Sequence, residues 1–444
     1  MITFEQAREL YEDFRLNKRP RLEKLYNYYS ANHEILNKKT RDNGKEPTRA
    51  VNNYAKYIST ITTGYFIGNP ITYTYSEKDK LEEVEKIYKY NYESSHNADL
   101  ALDMSIYGVA YEINYLDEAS QYCFASIDPR NVIVIDDGKI KPQIIDAIIF
   151  DERELKDNKI EVIMEAYDST TCYTYKYVKD KNSATDFSYE LVGEELHRIG
   201  YCPIVEYRNN KAKKSDFEDI ITLIDSYNDV TSSSIDDIKD FTDAILVIKN
   251  LSGATQEDID SINENKVMLV DGDGAAEWLI KNINDTYNEN VKNRLKHDIH
   301  KFSFTPDLTD EAFAGNVSGI AIKCKFQALE QLRQEKERWF NKGLIKRFIM
   351  INSYLSKYNK SIDLMELQIK FQANLPINIS EIIQSVNNVT GIISHKTQLA
   401  MLPFIQDVDT ELEQLEEEKE ATNPYSLDEF QNINQEQEDN VDEE

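Results

Sequence analysis

Residues 305–354 read TPDLTDEAFAGNVSGIAIKCKFQALEQLRQEKERWFNKGLIKRFIMINSY. A polar, Gly-punctuated loop of about fifteen residues (305–319) runs straight into one very long helical pattern (320–362). Connections beyond about 12–15 residues are uncommon in compact domains and are usually functional or disordered. Helical patterns beyond about 25 residues mark coiled coils, membrane spans or unusual architectures. Roughly 38 helical residues would span about 57 Å at 1.5 Å each, and Gly343 is the candidate for a kink within them. The pairing points to a large assembly in which a rigid strut presents a loop.

On the N-terminal side of the loop, Ser215 and Glu218 have capping-box spacing. They open a helix whose apolar period runs from Phe217 through Ile220, Ile224 and Tyr227 to about Phe241. A compact βαβ insert follows, with strands expected at 244–250 and 266–279 and a short helix at 255–265. A second amphipathic helix then carries Val291, Leu295, Ile299 and Phe302 on one stripe, with Pro306 as its expected stop. On the C-terminal side, MELQIKFQANLP (365–376) reads as a strand, followed by helices near 380–390 and 396–420. Residues 423–444 have the composition of a disordered tail.

Upstream, residues 1–60 are helical, and a further helix ends at Gly68-Asn69-Pro70. ITYTY (71–75) alternates as a strand, and two helical pieces run to Gly108. Residues 109–208 alternate apolar and polar side chains between short Asp, Gly and Asn turns, the pattern of antiparallel hairpins. One face of that sheet should pack on the preceding helices. The fold class is α+β.

The formal net charge of −29 is uneven. Asp407–Glu444 holds sixteen acidic residues and one lysine, so the preceding 406 residues carry only −14. Such a body argues against tight wrapping of nucleic acid, which requires phosphate neutralisation by Lys and Arg, but allows a nucleic acid to pass nearby. The 28 tyrosines suggest broad half-polar contact surfaces, or equally a supply of strand residues. Cys123, Cys172, Cys202 and Cys324 lack metal or disulfide spacing and read as reduced intracellular thiols. The N-terminus has no signal-peptide pattern and no apolar run reaches membrane-spanning length, so a soluble cytoplasmic protein without a membrane partner is expected.

No phosphate loop, dinucleotide fingerprint, HExxH or GxSxG occurs. DGDGAAEW (271–278) places Ala275 where a calcium loop needs an oxygen ligand, and reads better as a hairpin turn. His297 and His300 lie one helical turn apart without further ligands nearby, which favours a surface or inter-subunit polar role over zinc. Lys323, Lys325, Arg333, Lys336 and Arg338 line the start of the long helix. They are expected as a solvated face paired with Glu330, Glu335 and Glu337, with transient phosphate contact as the functional alternative, above all at Lys323 and Lys325. Neither an active site nor a cofactor or metal is expected.

Four strings in order carry a resemblance: 49–73 (RAVNNYAKYISTITTGYFIGNPITY), 215–249, 310–331 (DEAFAGNVSGIAIKCKFQALEQ) and 374–418. Together they resemble the portal (head-to-tail connector) proteins of tailed bacteriophages, specifically siphophages of Gram-positive hosts. The resemblance implies a non-enzymatic homo-oligomeric ring, typically a dodecamer, at one capsid vertex of the virion and assembled in the host cytoplasm. Its tunnel would pass double-stranded DNA during packaging and ejection. Implied partners are the terminase large subunit, a head-completion or adaptor protein, and the major capsid and scaffolding proteins.

In the same frame residues 1–215 form a β-rich wing, 216–241 and 286–304 two stem helices, and 242–285 a small α/β clip. Residues 305–319 become a tunnel loop, 320–362 the long spine helix, 363–376 a wing strand, 377–420 a helical crown and 421–444 an acidic tail. The DNA-facing residues would be Phe313, Gly315, Asn316, Val317, Ser318 and Gly319. Two alternatives are a minor capsid or scaffold-type oligomer without a tunnel, and a phage nuclease with a carboxylate metal site.

Overall fold

The computed structural model describes residues 2–41, 44–180, 187–242, 245–249, 275–279, 285–309, 319–374, 379–402, 405 and 408–422. It divides into two compact units, Met1–Ala314 with Cys324–Asn374, and Gly315–Lys323 with Leu375–Glu444.

In the first unit, α1 (Phe4–Asp13) opens with a reciprocal cap between Thr3 and Gln6. A π-helical turn, Phe14–Lys18, joins it to α2 (Arg19–Tyr29). Pro20 supplies the reason, since it cannot donate to the carbonyl one turn back and its ring crowds that carbonyl. The chain widens by one residue and continues.

Helix α1 covers one face of a five-stranded antiparallel sheet: β4 (Val132–Asp136), β5 (Ile144–Glu154), β6 (Lys159–Tyr167), β7 (Thr171–Asp180) and β8 (Phe187–Leu196), in sequence order. Alternate residues Phe150, Val162, Met164, Tyr175 and Tyr177 meet Phe4, Tyr11 and Phe14, as a period of two requires. The expected packing of this sheet on preceding helices is present.

A second core joins α3 (Tyr54–Ile67), α4 (Lys78–Tyr90), α5 (Glu93–Tyr107) and the sheet β3-β2-β9 to the long helix. Those strands are β2 (Val109–Leu116), β3 (Tyr122–Ile127) and β9 (Ile204–Arg208). Gly108 ends α5 with φ +82°, where a Cβ would lie 2.1 Å from the Lys213 carbonyl oxygen. Only glycine fits that turn. Strand β1 (Thr72–Thr74) pairs antiparallel with β12 (Gln368–Lys370), Tyr73 opposite Ile369.

Helix α6 (Ile221–Thr242) packs against α7 (Asp285–Phe302). Between them, β10 (Ile245–Lys249) and β11 (Ala275–Leu279) pair antiparallel, Val247 opposite Glu277. The helix expected at 255–265 and the turn at 271–274 lie outside the described residues. The capping box at Ser215 is only half realised: the Ser215 amide donates to Glu218, but its hydroxyl donates to the Ser105 carbonyl and accepts from Phe217. A 3-10 turn at Glu218–Ile220 precedes α6. Helix α7 stops at Phe302, before Pro306, because Phe304 adopts φ 58° and Thr305 donates back to His300. Ile299 is buried while Phe302 is exposed, so the apolar stripe ends one turn earlier than its spacing suggests.

The long pattern is divided. Helix α8 (Gly319–Lys325) stops before Phe326, whose ring stacks on Tyr65 with centroids 5.6 Å apart. Helix α9 (Gln327–Ser356) then runs 30 residues, about 45 Å, instead of the roughly 38 expected. It continues without interruption through Gly343, where a Cβ would lie 2.3 Å from the Tyr207 ring. That glycine serves close packing.

The second unit contains α10 (Ile379–Asn388), α11 (His395–Ala400) and α12 (Val408–Thr422). The helix expected over 396–420 is therefore two helices, and Lys396 on the first pairs with Asp409 on the second. The tail from 423 lies outside the described residues.

Many tyrosines proved to be core. Tyr11, Tyr28, Tyr122, Tyr177 and Tyr207 are fully buried. Several hydroxyls donate to carboxylates: Tyr28 to Asp225 at 2.7 Å, Tyr65 to Glu330 at 2.8 Å, Tyr73 to Glu93 at 2.5 Å. Part of the acidic excess is thus satisfied inside the body.

Candidate functional site

Three charged clusters follow one another along helix α9, the first within the helix and the next two joining it to the rest of its unit. At its start, Arg333 donates to Glu330 at 2.9 and 2.8 Å and to Glu337 at 2.6 Å. Arg333, with Gln334 and Tyr65, holds the Glu330 carboxyl at about 2. This is the one-turn pairing expected from spacing.

The next basic residue departs from expectation. Lys336 is buried, and its ammonium donates to Asp216 and to the Ser105 hydroxyl, each at 2.7 Å. Burial pushes its pKa down, against the pull of Asp216. Lys336 falls on the stripe of Leu329, Phe340 and Leu344, so helical geometry drives it inward. It ties α9 to α5 and to the segment that opens α6.

One stripe further on, Arg347 is buried with Glu112 of β2, His96 and Asn97 of α5, and Tyr207 of β9. Its Nε donates to both Glu112 oxygens, at 3.1 and 2.9 Å, and Nη2 also donates to Oε2. Asn97 Oδ1 accepts from both terminal nitrogens at 3.0 Å. His96 Nε2 lies 2.9 Å from Glu112, Tyr207 donates to it at 3.1 Å, and the guanidinium carbon sits 4.5 Å from the Phe124 ring centroid. Burial alone would raise the Glu112 pKa, yet Arg347 and His96 outweigh it and hold the group at about 2. These residues escaped the sequence reading. The available signal was an arginine within the stripe Leu344, Phe348 and Ile351.

The outer face of α9 presents Arg338 and Lys342 to solvent, with the Lys342 ammonium 3.5 Å from the Trp339 ring centroid. Lys323 is exposed and Lys325 half-buried. Phe313, Gly315, Asn316, Val317 and Ser318 lie outside the described residues, and Gly319 is the first residue of α8, not loop. His297 is exposed; the His300 ring nitrogen lies 3.1 Å from the Thr305 carbonyl oxygen, and its ring packs edge-on against Tyr54 and Tyr57. The two histidines therefore do not form one site. Among the described residues, no group of three or more His, Cys, Asp or Glu side chains is arranged to hold a metal ion. Among them too, no helix is long and apolar enough to cross a membrane.

Residues 9–425 match the family model of phage portal proteins, SPP1 Gp6-like. The chain belongs to the phage portal protein family. It is 27% identical over 391 residues to the portal protein of Bacillus phage SPP1, a match covering 85% of this chain and 77% of that protein. It is 22% identical over 433 residues to the portal protein of Clostridium phage phiCD119, covering 91% and 94%. Among solved structures it resembles a chain in the neck of an empty GTA particle computed with C6 symmetry. The TM-score is 0.40 and the identity 12%, over 78% of this chain and 88% of that one. The family expected from the ordered strings is the family found.

Proposed function

We propose that this chain is the repeating subunit of a closed ring, typically a dodecamer, set at one capsid vertex with double-stranded DNA passing through its centre. The observation that carries this reading is the family match over residues 9–425. The role is structural and non-enzymatic, so the energy for DNA movement comes from a separate motor. The ring forms a channel for packaging and ejection and docks the terminase large subunit, then a head-completion protein.

Several features support this assignment. Helices α6 and α7 with their antiparallel insert suit a stem and a clip. Helix α9, locked by Lys336 and Arg347, suits a spine that bears load. Residues 305–318 then form the tunnel loop, with Phe313, Gly315, Asn316, Val317 and Ser318 nearest the DNA, Gly319 opening α8 behind them, and Lys323 and Lys325 as transient phosphate contacts. The body ahead of Asp407, at −14, repels phosphates and lets DNA slide rather than bind. Negative-stain microscopy of the purified protein tests the assignment. Closed rings with a central hole support it, and oligomers without a hole favour a scaffold-type head protein.

A further inference from the structure

The two edges of the five-stranded sheet present different exposed side chains. At one edge, the β4–β5 hairpin projects a tip in which fully exposed Ile140 stands between exposed Lys139, whose ammonium lies 2.9 Å from Asp137, and exposed Lys141. At the other edge, β8 exposes Tyr189, Leu191, Val192 and Leu196 together with Glu190, Glu194 and Glu195. Strand order places three strands between these edges, so they lie about 19 Å apart at roughly 4.8 Å per strand.

Register adds a second constraint. Tyr189, Leu191 and Leu196 oppose Tyr177, Tyr175 and Thr171, so they share one face of β8. Glu195 pairs with Cys172, Cys172 with Tyr167, Tyr167 with Ala147 and Ala147 with Val134. The acidic end of β8 therefore lies at the same end of the sheet as the Lys139–Ile140–Lys141 tip. The register shift opposite Thr174 and Tyr175 leaves Val192 as an extra residue, and such a bulge discourages strand-on-strand pairing along this edge.

We propose that in the ring the Lys139–Ile140–Lys141 tip of one copy docks on the β8 edge of the next. Ile140 packs against Leu191 and Leu196, while Lys139 and Lys141 face Glu190, Glu194 and Glu195. Side-to-side repetition around a ring requires two different, complementary surfaces on opposite flanks of each subunit, and the two sheet edges supply them. This inference rests on the ring reading and names one of the contacts that closes it.

The test is charge exchange in the full chain, read by size-exclusion chromatography and negative-stain microscopy. Ile140→Asp, Lys139→Glu with Lys141→Glu, and Glu194→Lys with Glu195→Lys should each lose the ring peak while circular dichroism stays unchanged. Mixing the lysine-reversed and glutamate-reversed proteins should restore rings of alternating subunits, which no folding defect can mimic. Rings that persist in all three variants at low and high salt would overturn the docking while leaving the ring intact. A wild-type chain that remains monomeric would overturn the ring and this contact together.

Discussion

The Arg347 guanidinium of α9 and the Glu112 carboxylate of β2 form a fully buried ion pair, joined by hydrogen bonds from both Nε and Nη2. Removing one partner leaves the other as an uncompensated buried charge, which costs about 3–5 kcal/mol. Arg347→Met should lower unfolding stability by that order in urea titrations. Adding Glu112→Gln to Arg347→Met should recover part of the loss. Equal stability of Arg347→Met and wild type would show that the pair does not hold the helix.

The same pair sets an acid limit. Glu112 is lowered from 4.5 to about 2 in the folded chain. A depressed carboxylate contributes stability that is present above its unfolded pKa and lost as pH falls through the folded one. Stability should therefore drop between about pH 5 and pH 2, with this group contributing about 3 kcal/mol. In Glu112→Gln, urea midpoints should fall less steeply over that window.

Gly343 is a packing glycine within a continuous helix. Gly343→Ala puts a methyl against the Tyr207 ring and should cost about 1–3 kcal/mol by overpacking, despite alanine's better helix propensity. In a Tyr207→Leu background the same change should cost less. Thermal denaturation of the four proteins closes that cycle.

Much of this architecture was legible in sequence because it is local. The alternation in 109–208, the turn at Gly108 and the period from Phe217 to Phe241 each need only a few residues of context. The partition of charges was not. Spacing gave Arg333 its partners Glu330 and Glu337 one turn away, but Lys336 and Arg347 bond Asp216 and Glu112, more than a hundred residues distant. A helical wheel of α9 puts both on the apolar stripe, so their burial was readable and their partners were not. At the break, Phe326 likewise stacks on Tyr65, which only the folded chain brings near.

The tunnel-loop assignment predicts separable phenotypes. Deleting Phe313–Ser318 should leave ring assembly unchanged while impairing DNA packaging or retention in an infection or packaging assay. Loss of the ring on deletion would make this segment a structural staple.

Whether the chain closes into a ring around DNA is decided by electron microscopy of the purified wild-type protein with symmetry-free class averaging. Closed rings with a central opening wide enough for a double helix are expected. Monomers, or compact oligomers without an opening, would contradict closure into a ring.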